Sequence, residues 1–136
     1  MGKALGIDYG TKRTGIAITD SMQIIASGLI TVLTCQLDEF IANLVRQEDI
    51  ECFVVGEPKN LDGKDTNSTS HANVFVKRLK ERYPDIVLHR IDERFTSKIA
   101  KRSILASGLK KNARKNKSLI DEVSATIILQ DYLDSR

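Results

Sequence analysis

Apolar positions along this chain switch between two periods. The runs Ala4-Leu5-Gly6-Ile7-Asp8 and Thr14-Gly15-Ile16-Ala17-Ile18-Thr19 flank the turn Tyr9-Gly10-Thr11-Lys12. They predict two buried strands close enough to pair antiparallel. Residues 24–33, with several β-branched side chains around Gly28, predict a third strand. Leu37, Phe40, Ile41, Leu44 and Val45 then fall three and four apart, the spacing of an amphipathic helix. Cys52-Phe53-Val54-Val55 predicts a buried strand that ends at Gly56-Glu57-Pro58, followed by a loop at 59–64. Ala72, Phe75, Val76, Leu79 and Tyr83 share one helical face, and Pro84 stops that helix. Residues 86–91 predict a fifth strand, and 96–107 and 118–134 two further helices.

A meander of three strands followed by alternating helix and strand predicts a mixed five-stranded α/β sheet. Its first three strands are antiparallel, the other two run parallel to the first, and helices cover both faces. A single domain spanning 1–136 accommodates this, since domains commonly hold about 100–150 residues. Hydrophobic residues make up 41% of the chain and charged residues 29%, which fits a globular fold and not a disordered one. The start of the chain lacks the long apolar stretch of a signal peptide, and no run is long enough to span a bilayer. A cytoplasmic protein without membrane association is therefore expected. Cys35 and Cys52 sit among apolar neighbours and are expected to be reduced core thiols; with His71 and His89 they make no zinc spacing.

Charge changes the picture only when divided along the chain. The net charge is +3, yet residues 98–117 hold 8 Lys or Arg and no acid, leaving 13 basic against 18 acidic residues elsewhere. A local positive stripe attracts polyanions by displacing their counterions, although a solvated helix face followed by a loop has the same composition.

The acids at predicted strand ends carry the candidate chemistry. Asp8 ends the first strand, Glu57 the fourth, and Asp92 and Glu93 the fifth; Asp121 lies one turn into the final helix. Ser124 and Ala125 are small enough to let that helix approach the sheet and direct Asp121 toward Asp8. In sheets with parallel strands, sites gather beyond the C-terminal strand ends. Converging carboxylates repel, and divalent cations with oxygen ligands offset that repulsion, magnesium or manganese being better suited than zinc. Such ions, used in pairs, activate water and stabilise the leaving oxygen of a phosphodiester. Each acid also has an ordinary reading: Asp8 as a turn cap, Asp92 and Glu93 as first-turn helix acids, Asp121 in a capping box.

Together these segments resemble a known family. Gly6-Ile7-Asp8-Tyr9-Gly10 followed by Arg13-Thr14-Gly15-Ile16-Ala17 resembles the opening of the YqgF (RuvX-type) proteins. These are small ribonuclease H-like nucleases described as Holliday junction resolvases and as pre-16S rRNA processing enzymes. Val54-Val55-Gly56-Glu57-Pro58 with Asp62-Gly63, then Asp92-Glu93-Arg94-Phe95-Thr96-Ser97, then Ile120-Asp121 with Ala125, Ile128-Leu129-Gln130 and Tyr132-Leu133 resemble its later segments in order and spacing. The resemblance implies that Asp8, Glu93 and Asp121 hold two Mg2+ or Mn2+ ions and carry catalysis. It implies that Lys12, Arg13, Arg94, Lys110, Lys111 and Arg114 position nucleic acid. There are departures: Glu57 stands where an apolar or aromatic residue is more usual, Glu122 where a small one is common, and Ser124 replaces alanine.

Two functions follow from that resemblance: processing of structured RNA, with ribosomal association, or resolution of branched DNA. The low aromatic content (5%, no Trp) argues against a base-stacking platform and for shape recognition. No long heptad helix marks a dimer, so monomer and homodimer both stay open, and RNA is the preferred substrate. A nonenzymatic RNA-binding protein of the same fold is the alternative outside enzymology. Asp8-Tyr9-Gly10-Thr11-Lys12 also resembles the first phosphate loop of actin-like kinases, but 136 residues supply only one of their two lobes.

Overall fold

The computed structural model describes residues 2–58, 67–92 and 117–136, with backbone only at 67, 68 and 117–121. Its strands are β1 (Lys3–Asp8), β2 (Arg13–Thr19), β3 (Ala26–Leu33), β4 (Ile50–Glu57) and β5 (Val87–Asp92), in the sheet order β3-β2-β1-β4-β5. β1–β2 and β2–β3 pair antiparallel, whereas β1–β4 and β4–β5 pair parallel. The described helices are α1 (Leu37–Gln47), α2 (Asn67–Arg82) and α3 (Lys117–Asp134), with a single 3-10 turn, Thr34–Gln36, before α1.

Side chains alternate across a strand, so each strand serves two cores. On one face Leu5, Ile7, Ile16, Phe53 and Val55 pack with Leu37 and Ile41 of α1 and with Phe75, Val76 and Leu79 of α2. On the other, Ala4, Ala17, Cys52 and Val54 meet Ala125, Ile128 and Leu129 of α3. The strand residues facing α3 are small, which lets the helix lie close. A Cβ on Gly6 would stand 2.8 Å from the Leu129 Cβ and 3.1 Å from the Ala125 carbonyl oxygen.

The direction of α3 follows from its contacts. Ala125 and Leu129 lie over Gly6, and further along the Tyr132 hydroxyl meets the Cys52 thiol. At its end Arg136 donates to Gln23, whose amide in turn donates to the Gly2 carbonyl at the start of β1. α3 thus runs antiparallel to β1, and its first turns lie toward the end of the sheet where β1 finishes at Asp8. Burial pushes the Cys52 thiol above its ordinary pKa, so it stays protonated beneath the helix.

The predicted mixed sheet, its helices on both faces and the buried stripe of α2 agree with the structure. Three details differ. β3 begins at Ala26 and not at Ile24, because the amides of Ile24 and Ile25 donate to the Asp20 carboxylate, each at 2.9 Å, instead of to a ladder. β4 ends at Glu57 as expected but begins at Ile50, before its apolar stretch, since Ile50 pairs with Lys3 of β1. Cys52 is buried, but Cys35 is exposed, because it sits in the 3-10 turn that lifts the chain from the sheet to α1. The helix predicted at 96–107 lies outside the described residues.

Candidate active site

Three parallel strands finish side by side, β1 at Asp8, β4 at Glu57 and β5 at Asp92. Ile7 is level with Val55, and Glu57 is level with Asp92, so the three carboxylates lie along one edge of the sheet. Alternation then separates them. Asp8 continues the series Ala4, Gly6 onto the α3 face, whereas Glu57 continues Phe53, Val55 onto the face of α1 and α2. Asp92 falls on the same side as Glu57, because Leu88 packs with the α1/α2 core and Ile91 with the α3 core.

Arg90 organises that second face. Its Nη1 lies 3.9 Å from a Glu57 carboxylate oxygen and donates to the Asn73 side chain of α2 at 3.0 Å. Its Nε and Nη2 donate to the carbonyls of Val55 (3.3 Å) and Gly56 (3.2 Å). The Thr69 hydroxyl donates to the Pro58 carbonyl and ties the start of α2 to the exit of β4. The sequence reading added Glu57 to the acids near Asp8; the structure instead gives it to a cluster with Arg90 across the sheet.

The turn after Asp8 is tightly built. A Cβ on Gly10 would stand 2.3 Å from the Arg13 carbonyl oxygen, so no larger residue fits this backbone. The Gly10 N–H donates to the buried Thr14 hydroxyl at 3.4 Å, and the Thr34 hydroxyl donates to the Gly10 carbonyl at 2.6 Å. The two hydroxyls lie 2.9 Å apart, and the Thr34 N–H donates to the Lys12 carbonyl at 2.9 Å. Tyr9 stacks on Phe75 of α2, with ring centroids 4.7 Å apart. β2, the 3-10 turn and α2 therefore hold the backbone that carries Asp8, with Lys12 exposed and Arg13 half-buried beside it. Gly10→Ala is expected to shift this turn and lower the nuclease activity that the sequence resemblance implies about a hundredfold, the size of effect a displacement near 1 Å produces. Turnover rates, with circular dichroism as the fold control, check this.

Asp121 lies in the opening turns of α3, the end of that helix nearest the finish of β1; its side chain is outside the described set. Glu93, Arg94, Lys110, Lys111 and Arg114 lie outside the described residues. Among the described residues no three His, Cys, Asp or Glu side chains gather as a cation site, and Asp8 is the one member of the expected trio whose side chain is described. Arg90 and the Thr14–Thr34 pair were missed by sequence reasoning. A basic residue in the middle of a predicted strand was the available signal for Arg90; Thr34 had none, because its partner is 20 residues away.

At the opposite end of the sheet is a cavity of about 310 Å³, lined in part by Gln23, Glu51, Cys52, His89, Tyr132 and Arg136. Its polar groups bind one another: Gln23 is held by Gly2, Glu51 and Arg136. No helix among the described residues is long and apolar enough to cross a membrane.

Residues 2–135 match a family model described as RuvX: Holliday junction resolvase. A Bacteroides fragilis protein named "Putative pre-16S rRNA nuclease" is 50% identical over 136 residues, covering 100% of this chain and 99% of that protein. A Flavobacterium johnsoniae protein of the same name is 52% identical over 136 residues, with 100% and 99% covered. Among solved structures, Thermus thermophilus RuvC in complex with a Holliday junction substrate aligns with a TM-score of 0.58 at 17% identity, covering 99% of this chain and 96% of that one. The fowlpox virus Holliday junction resolvase aligns with a TM-score of 0.56 at 13% identity, covering 98% of each chain. At those identities the structural likeness speaks for the fold, which is of the RuvC, ribonuclease H-like kind.

Proposed function

Because the chain belongs to the RuvX family, we propose that it is a metal-dependent nuclease that hydrolyses phosphodiester bonds at the 5′ end of precursor 16S ribosomal RNA. The observation that carries this reading is Asp8. It stands at the C-terminal end of the central parallel strand, on the face covered by α3, on a turn clamped by Gly10, Thr14 and Thr34. Relatives about half identical over the full chain, and named for that RNA, support it as the substrate.

Asp8 fits a hard cation in chemistry and in place: it offers carboxylate oxygens at a half-buried strand end. Glu93 and Asp121 complete the proposed set. Of the neighbouring acids Asp92 and Glu93 the reading takes Glu93, since Asp92 shares the far face with Glu57 and Arg90. Mg2+ or Mn2+, two ions during catalysis, would supply Lewis-acid activation of the phosphodiester and of the attacking water. The chain's own part is to hold the carboxylates on a rigid edge and to keep Lys12 and Arg13 beside them for the phosphate backbone. Arg94, Lys110, Lys111 and Arg114 would extend that grip. Contacts of this kind position a substrate and do not read its sequence. Work on a ribosomal precursor belongs in the cytoplasm, in association with the maturing ribosome.

Resolution of branched DNA is the second reading, favoured by the family description and by the fold shared with RuvC. Labelled precursor 16S rRNA and a four-way DNA junction, offered side by side with Mg2+ or Mn2+, separate the two. Faster cutting of the RNA is expected; paired symmetric cuts in the junction, with the RNA intact, would transfer the assignment to the resolvase. Binding of both without cutting would favour an RNA-binding role.

A further inference from the structure

Residues 21–37 contain no Lys, Arg, Asp or Glu, in a chain whose residues are 29% charged. The surface they form is apolar as well as neutral. Met22, Ile24, Ile25, Leu29, Ile30 and Leu33 are between 41% and 64% exposed, and they are most of the large exposed hydrophobics among the described residues. Natural edge strands are usually guarded by charges, by proline or by brevity. β3 is eight residues long, has neither charge nor proline, and pairs only with β2 among the described strands. One guard is present: the register passes over Leu29, a bulge that leaves this side chain as an extra residue on the edge strand.

The loop before β3 is built to hold its apolar side chains outward. The Asp20 carboxylate accepts the amides of Met22 (3.0 Å), Ile24 (2.9 Å) and Ile25 (2.9 Å). The amides of Ile25 and Ile24 hold the Asp20 carboxyl below its ordinary pKa and so keep it ionised. Gln23 has a φ of 53° and is buried, anchored to Gly2, Glu51 and Arg136. A left-handed residue turned inward and three apolar neighbours turned outward make a rigid display, which lowers the ordering cost of an encounter.

We propose that this surface, the loop 21–25 with β3, is where a second copy of this chain docks about a two-fold axis. Neutrality selects the occupant. A phosphate backbone finds no Lys or Arg to neutralise it along residues 21–37. A two-fold pairing sets each residue against another from the same uncharged stretch, so no like charges meet. The outer edge of an antiparallel meander also accepts an antiparallel copy of itself, with the bulge at Leu29 leaving side chains to carry most of the contact. Two copies joined this way turn their Asp8 ends in opposite directions, so neither candidate active site is covered. The association assumes nothing about nuclease chemistry, and its test reads mass, not cleavage.

Sedimentation equilibrium on the full chain is the test. The wild type is expected to form a concentration-dependent dimer, and Ile24→Lys and Leu29→Lys each to weaken it at least about tenfold by placing an unpaired ammonium in the contact. Circular dichroism should stay unchanged, and so should melting at a dilution where both proteins are monomeric, because both positions are exposed. If a lysine variant fails to fold, Ile24→Ser with Leu29→Ser gives the same reading with a gentler change. A wild type that stays monomeric up to about millimolar overturns the proposal and leaves the surface to a different protein. A dimer that all these variants leave as tight as before overturns it as well.

Discussion

Asp8→Asn is expected to reduce cleavage about a thousandfold or more while leaving the fold and RNA binding in place. The substitution preserves shape and removes one charge at the end of β1, where the turn is held independently through Gly10, Thr14 and Thr34. A metal ion contributes several kcal/mol of charge stabilisation in the transition state, and each 1.4 kcal/mol or so is tenfold in rate. Losing one central carboxylate therefore suffices for about three orders of magnitude. Binding should hold or tighten slightly, because one negative charge facing phosphates is gone. Single-turnover cleavage beside a filter-binding titration reads both quantities. A variant that cuts within about tenfold of the wild type would remove Asp8 from the catalytic set.

Gly6→Val is expected to be the most damaging small substitution for stability, and it also tests how α3 is seated. Any Cβ there meets the Leu129 Cβ at 2.8 Å and the Ala125 carbonyl at 3.1 Å, atoms that belong to the helix body and cannot rotate away. The helix must lift from the sheet. Overpacking of this kind costs roughly 1–3 kcal/mol, and the branched side chain should fall at the upper end. Because α3 also carries Asp121, cleavage should fall further than stability alone explains. Urea unfolding gives the first effect and turnover under folding conditions the second. An unchanged midpoint would mean that α3 does not rest on Gly6.

Periodicity carries the architecture well here, because β1, β2, β4 and the helices each bury a clear stripe, while β3 buries none. Leu5 and Ile7 alternate with Ala4 and Gly6, and Ala72, Phe75, Val76 and Leu79 recur at helical spacing. The boundaries that moved did so through single polar interactions that periodicity does not register. Asp20 took the amides that an earlier start of β3 would have used, and the 3-10 turn exposed Cys35. The site was legible as acids at strand ends, yet not as faces. Glu57 and Asp8 look equivalent along the chain, and only the register between β1 and β4 assigns them to opposite sides of the sheet. Arg90 was passed over because its partners, the Val55 and Gly56 carbonyls, are backbone groups of a neighbouring strand.

The most direct test of the central claim is the time course of precursor 16S rRNA cleavage by the purified chain, in chelator and then in Mg2+ or Mn2+. The account predicts an intact precursor in chelator and defined cuts near the mature 5′ end once either ion is added, lost again in Asp8→Asn. Cleavage that proceeds unchanged in chelator, or a precursor bound yet uncut with both ions present, would contradict it.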